Sequence, residues 1–186
     1  MKSNSEYIWY KLLKTKGVGP KTIHNIYNNC KNKSGENSGL NENDVNEFLK
    51  KNKKLLTNWE NVDDEICFLE YEKVLKKDIK ILTLDSKNYP KIILNNIGAT
   101  AAPILFCGGK IDLLNNSSIA VVGSRNVCDN GIKFTKNISK QLSNSGFNII
   151  SGYAKGVDTI SHLSALENDG TTTFVLSYGL YEFKKK

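Results

Sequence analysis

The sequence predicts an α/β protein: a three-layer α/β/α domain with a parallel sheet, preceded by a small all-helical domain. Three observations carry this reading. Apolar residues up to about Tyr71 recur at helical spacing, whereas from Ile79 they run in short strand-like blocks. Beyond Ile119 the pattern becomes strand, helix, strand, helix, strand, which implies parallel pairing through crossover helices. The change of period sets the domains at residues 1–78 and 79–186.

In chain order, Ile8, Trp9, Leu12 and Leu13 form the apolar face of a first helix. Gly17, Val18, Gly19 and Pro20 then end that helix and start another, with Pro20 suited to a first helical turn. Ile23, Ile26 and Tyr27 continue the face, and residues 31–43, rich in Asn, Ser, Gly and charge, read as a loop. Val45, Phe48 and Leu49 predict a short helix, and Ile66, Leu69, Tyr71, Val74 and Leu75 a longer one. Strands are predicted over residues 79–84 and 104–107, separated by a turn at Tyr89 and Pro90 and ended by Gly108 and Gly109. The alternating part follows. Residues 119–122, 147–150 and 173–176 are strands; one helix carries Ile132, Phe134, Ile138 and Leu142, and the other runs over residues 157–166.

With 186 residues and 39% hydrophobic content, the chain is long enough to bury a real core. Cys30, Cys67, Cys107 and Cys128 are scattered singly with no C-x-x-C pair, a pattern of reduced cytosolic thiols rather than of a zinc site or a disulfide framework. Residues 1–6 lack the apolar run of a secretory signal, and residues 97–107 are too short to cross a bilayer. A cytoplasmic protein is expected. The net charge of +7 points to a polyanionic partner. Nearly all of that charge is lysine, and the one arginine, Arg125, marks a place for a planar, bidentate phosphate donor.

In a parallel sheet the loops after the strands share one edge, where ligands bind. Three loops qualify: Gly123, Ser124, Arg125 and Asn126; then Ser151 to Gly156, reading S-G-Y-A-K-G; then Tyr178 and Gly179. Glycine lets backbone approach a ligand, and amides at the start of the following helices favour an anion. Arg125 and Lys155 add positive charge from two different loops. No G-x-G-x-x-G follows the first of these strands and no G-x-x-x-x-G-K-[ST] occurs, so neither a dinucleotide fingerprint nor a P-loop is present.

The run from Tyr89 and Pro90, through A-P-I-L-F-C-G-G at residues 102–109, to I-A-V-V-G-S-R at residues 119–125 resembles the DNA-processing protein DprA family, also called Smf. So does S-G-Y-A-K-G-V-D-T at residues 151–159, followed by His162, Ala165, Leu166 and G-T-T at residues 170–172. The likeness covers about residues 80–180, and the N-terminal helices resemble the family's small SAM or helix-hairpin-helix-like domain. The resemblance implies a Rossmann-like domain and a protein of natural transformation, competence and DNA recombination. Such a protein binds and protects single-stranded DNA and helps load the RecA recombinase, with no catalytic residue, cofactor or metal. It assigns the DNA phosphates to Gly123, Ser124, Arg125, Ser151, Gly152 and Lys155. Family members continue past the position of Gly179 with further strands and an N-R-I-type segment, so this sequence reads as shortened at its C-terminus. A homodimer and the RecA contact are expected to involve that further part.

Other residues have ordinary roles open to them. His162 is expected in the core, Asp158 as a cap that orients its loop, and Lys184 to Lys186 as a solvated end. His24, after the Gly-Val-Gly turn, belongs either to a phosphate-holding hairpin or to plain helix packing. Trp9, on the apolar face, is expected in the core rather than stacked on bases. Two other functions compete. One is a nucleotide-binding or nucleotide-hydrolysing enzyme of a related Rossmann-like family, but its P-G-G loop is absent and Lys155 stands where that chemistry wants a carboxylate. The other is a truncated homologue that no longer binds DNA.

Overall fold

The computed structural model describes residues 4–34, 39–180 and 183. By contacts the chain divides into two compact units, Met1–Gly109 and Lys110–Lys186. The change of period at residue 79 therefore falls inside the first unit, which keeps the first two strands with the helices.

The first unit opens with α1 (Ser5–Lys14), α2 (Pro20–Ser34), α3 (Glu42–Leu49), α4 (Lys53–Glu60) and α5 (Asp64–Leu75). The side chains of Asn4, Asn41, Asn52 and Asp63 accept backbone N–H groups at the starts of α1, α3, α4 and α5. These helices close around Trp9, Trp59, Tyr7, Leu12, Ile26 and Val45, all nearly inaccessible to solvent. Lys11 is buried with them. Its ammonium lies 2.9 Å from Asp64 Oδ1, 3.5 Å from Glu42 Oε1 and 4.4 Å from the centre of the Trp59 ring, so the desolvated charge is compensated on three sides. The strands β1 (Lys80–Thr83) and β2 (Ile104–Cys107) pair antiparallel, Lys80 opposite Cys107 and Thr83 opposite Ile104. Between them lie α6 (Lys91–Ile97) and a 3₁₀ turn, Gly98–Thr100.

The structure departs from the sequence reading here in four places. Helix α2 runs through Ser34, into the expected loop, and residues 35–38 of that loop lie outside the described residues. Helix α4, with Trp59 on its buried side, and helix α6 replace what reads as connection. Helix α5 buries Cys67, Tyr71 and Val74 and leaves Ile66, Leu69 and Leu75 exposed. Tyr71 sets that face: its hydroxyl donates to Glu6 at 2.8 Å and its ring packs edge-on against Tyr7.

In the second unit, β3 (Ser118–Ala120), α7 (Asp129–Asn144), β4 (Asn148–Ser151), α8 (Val157–Leu166) and β5 (Thr172–Phe174) follow a 3₁₀ turn, Ile111–Asn115. The three strands form a parallel sheet in the order β3-β4-β5, with Ile119 beside Ile149 and Ile149 beside Thr172. Asn148 ties them together by donating to Ser118 Oγ at 3.2 Å and Thr173 Oγ1 at 3.0 Å. Both helices pack on β4 and on each other, so this unit supplies the sheet and one helical layer of the α/β/α arrangement. Helix α7 buries Thr135, Ser139 and Ser143, while Phe134, expected in the core, is 70% exposed. Small side chains explain this choice. They bring α7 close enough for Ser164 Oγ on α8 to donate to the Lys136 carbonyl at 2.9 Å, an approach that Phe134 would hold apart.

Candidate nucleic-acid interface

Because β3, β4 and β5 are parallel, the segments that leave their C-terminal ends emerge on one edge. The first two of these segments touch through their backbones. The Val157 N–H donates to the Ser124 carbonyl at 3.1 Å, and Gly156, at φ +91°, lies against Ser124 and Arg125. A Cβ on Gly156 would fall 2.2 Å from Ser124 O and 2.8 Å from Arg125 Cα. Gly123 makes the reciprocal contact, where a Cβ would meet Val157 Cγ2 at 2.8 Å. Glycine at these two positions is what lets the loops join.

The joined loops present Gly123, Ser124, Arg125, Gly152 and Lys155 as exposed residues. Among the described residues, neither Arg125 nor Lys155 makes a salt bridge or side-chain hydrogen bond, so both cations face solvent uncompensated. Ser124 is turned into its own loop: its hydroxyl donates to the Asn126 carbonyl at 2.7 Å and accepts the Asn126 N–H at 3.1 Å. That turn holds Arg125 at its apex. Ser151 is placed differently from the other expected phosphate residues, since it is 3% exposed and lies under the loop at the end of β4. In the third segment Val175, directly after β5, donates its N–H to the Ser151 carbonyl at 2.9 Å, and Tyr178 and Gly179 further on are exposed.

The loop amides also differ from the sequence reading, which offers them to a ligand. Asp158, 7% exposed, accepts the N–H of Gly152 at 3.1 Å and that of Ala154 at 3.3 Å on one carboxylate oxygen. Asp158 therefore orients its loop from within, as expected, but it does not cap the helix, whose N-cap is Gly156 with no side-chain hydrogen bond. The cations, rather than those two amides, are left for an anion. Tyr153 between them has φ +61°, an unfavourable conformation for a bulky residue, and its ring rests 4.7 Å from that of Phe174.

His162 is a core residue, as expected. It is 2% exposed, its Nδ1 lies 2.6 Å from Thr172 Oγ1, and its ring meets Phe174 edge-on at 4.2 Å. The Thr172 hydroxyl gives its proton to the Ile149 carbonyl, so it accepts from His162, which places the imidazole proton on Nδ1. Burial pushes its pKa down to about 4, against a smaller opposing pull from Asp158. His24 is also structural, with Nε2 3.0 Å from the Ala101 carbonyl. Lys184 to Lys186 lie outside the described residues. Among the described residues the four cysteines form no disulfide, no cluster of three or more His, Cys, Asp or Glu residues could hold a metal ion, and no helix is long and apolar enough to cross a membrane. The sequence reading missed Gly156 as the contact point of the loops. Its position directly before the helix was visible, but the partner it meets comes from another strand.

Comparison with known proteins bears on the same segment. Residues 80–186 match the family described as DNA recombination-mediator protein A. The chain is 34% identical over 109 residues to protein Smf of Synechocystis sp., which covers 56% of this chain and 27% of that protein. It is 42% identical over 86 residues to DNA processing protein DprA of Streptococcus pneumoniae, covering 46% of this chain and 30% of that one. The X-ray structure of DNA processing protein A from Streptococcus pneumoniae superposes with a TM-score of 0.78 at 30% identity, over 99% of this chain and 62% of that chain. The alignments span about a third of the length of the curated relatives.

Proposed function

The chain belongs to the DNA recombination-mediator protein A family, and from that premise we propose that it binds single-stranded DNA by its phosphates at the joined loops of the sheet edge. The observation that carries the reading is the contact of Gly156 with Ser124 and Arg125, which brings an unpaired guanidinium and an unpaired ammonium onto one surface. In this proposal Arg125 forks onto one phosphate and Lys155 neutralises the same or the next one. Gly123 and Gly152 let the strand come close, and Ser124 holds Arg125 in place. Ser151 supports the loop from below. Binding without turnover follows, because the exposed loops carry cations and no paired acid and base, while His162 is buried, neutral at physiological pH and bonded to Thr172. Protection of the strand and its delivery to a RecA-type recombinase in DNA processing are the proposed outcome of that binding.

Fluorescence anisotropy with labelled single strands and duplexes of equal length, at two salt concentrations, tests the proposal. Single strands should bind more tightly, since loops follow a flexible backbone and no recognition helix is offered to a groove, and affinity should fall with salt. Equal affinity for duplex across several sequences would overturn it.

A further inference from the structure

Helix α7 starts four residues after Arg125, at the edge where β3 ends, and runs back along the sheet away from the joined loops. Helix and loops belong to the same unit. At about 100° per residue, the buried Thr135, Ser139 and Ser143 fall on one side of α7, while Lys133, Asn137, Lys140 and Gln141 fall on the other, with Phe134 on the shoulder of that exposed face. Phe134 is 70% exposed, the most exposed aromatic ring among the described residues. Lys133 and Lys140 stand two helical turns apart, about 10 Å along the axis. Among the described residues, the side chains of both lysines and of Phe134 make no hydrogen bond, ion pair or ring contact. Beyond Asp129 in the first turn, α7 carries no carboxylate.

Lysines are spread over the whole chain, and alone they would select nothing. What sets α7 apart is a bare phenyl ring among unpaired ammonium groups. An apolar partner would have to bury those groups without a counter-charge, and a merely acidic partner would leave the ring in water. A duplex offers phosphates but keeps its base faces in the stack. A single strand offers both, phosphates for the ammonium groups and free π-faces for the ring. We propose that α7 is a second contact for the strand held at the joined loops, with phosphates against Lys133 and Lys140 and a base stacked on Phe134. The inference rests on the loop reading, since the helix continues the path of a strand that leaves Arg125. Its consequence is a dependence on length: α7 should matter only for strands that reach beyond the loops.

The test compares oligothymidylates of about four and about twelve nucleotides, within the range of single-strand site sizes, on the full chain and on variants whose fold is checked by circular dichroism. Phe134→Ala should weaken the long strand about tenfold and leave the short one unchanged. Phe134→Leu, which keeps an apolar side chain without a π-face, should lose about as much. Replacing Lys133 and Lys140 together by alanine should lower the slope of log affinity against log salt by about 1.4 for two contacts, and for the long strand only. Phe134→Trp should keep long-strand binding and have its fluorescence quenched by the strand, against Trp9 and Trp59, which are buried. Arg125→Ala separates the inference from the loop reading. Loss of short and long binding together agrees with both, whereas long-strand binding and quenching that survive Arg125→Ala would sink the loop reading and leave the α7 contact standing. An unquenched Phe134→Trp variant, or long-strand affinity untouched by Phe134→Ala, would overturn the inference whether or not the loops bind DNA. Full long-strand affinity in Phe134→Leu would overturn it too, by making the ring a plain apolar contact.

Discussion

The first unit closes around Trp9, Trp59, Tyr7 and Leu12, whereas the second, among the described residues, buries Ile149 and Ala165 together with Ser139, Ser161, Ser164, Asn148 and His162. Among the described residues, buried side-chain atoms without a hydrogen-bond partner divide the same way: Asn46 in the first unit, and Ser139, Ser143, Asn148, Ser151 and His162 in the second. One unit is stabilised by large apolar volume and a compensated lysine. The other gives up volume for close approach between helices and between loops, and that closeness is what builds the cationic edge. Packing and site construction are therefore concentrated in different parts of the chain.

The sharpest way to break this contrast is to remove volume from each side. Trp59→Ala should destabilise the protein by about 3–5 kcal/mol in denaturant unfolding. Ser139→Ala, which removes a buried hydroxyl that has no partner, should be near neutral or slightly stabilising. Comparable losses at both positions would mean that the second unit is packed as tightly as the first.

A somewhat smaller effect should appear on acidification. His162 is neutral in the fold with its pKa pushed down to about 4, while in the unfolded chain it titrates near its ordinary 6.5. Above that ordinary value it is neutral in both states. As pH falls from 6.5 to 4 the unfolded chain takes up a proton that the fold refuses, so stability should drop by about 3 kcal/mol from this group. The loss is complete below 4. His162→Gln should flatten this part of the pH profile relative to the unmodified chain, and an unchanged profile would place the residue outside the core.

Much of this architecture was legible in the sequence, and the misses have definable causes. The strand and helix alternation after Ile119 was readable because buried parallel strands are short apolar blocks between helices of regular period. Helix α4 escaped because K-K-L-L-T-N-W-E carries few apolar residues, and its place in the fold depends on Trp59 reaching a core built by other helices. The buried face of α7 escaped for the opposite reason. Hydrophobic spacing selects Phe134, Ile138 and Leu142, yet close helix packing selects Thr135, Ser139 and Ser143. At the candidate site, Arg125 and Lys155 stood out by residue type. The inward turn of Ser151 and the capture of two amides by Asp158 are tertiary facts that no motif states.

The loop junction itself can be opened. Gly156→Ala forces a residue at φ +91°, at a backbone cost of roughly 1–3 kcal/mol, and drives its Cβ into Ser124 O, so DNA affinity should fall together with stability. Gly109→Ala is the matched control: it has the same φ of +91° but nothing within 4 Å, so it should lose stability and keep full binding. Equal binding by the two variants would show that the junction does not hold the site.

The most direct test is the salt dependence of single-strand affinity for the unmodified chain, Arg125→Lys, Lys155→Ala and Lys51→Ala, with folding of each checked by circular dichroism. The cationic-edge account predicts that Arg125→Lys weakens binding although charge is kept, because the guanidinium fork is lost. It also predicts that Lys155→Ala lowers the slope of log affinity against log salt by about 0.7, the value for one phosphate contact on a single strand. Lys51→Ala, an exposed lysine of the first unit, should change neither. Equal losses in affinity and slope at all three positions would contradict the account, and would mean that the net charge of +7, not the joined loops, attracts the DNA.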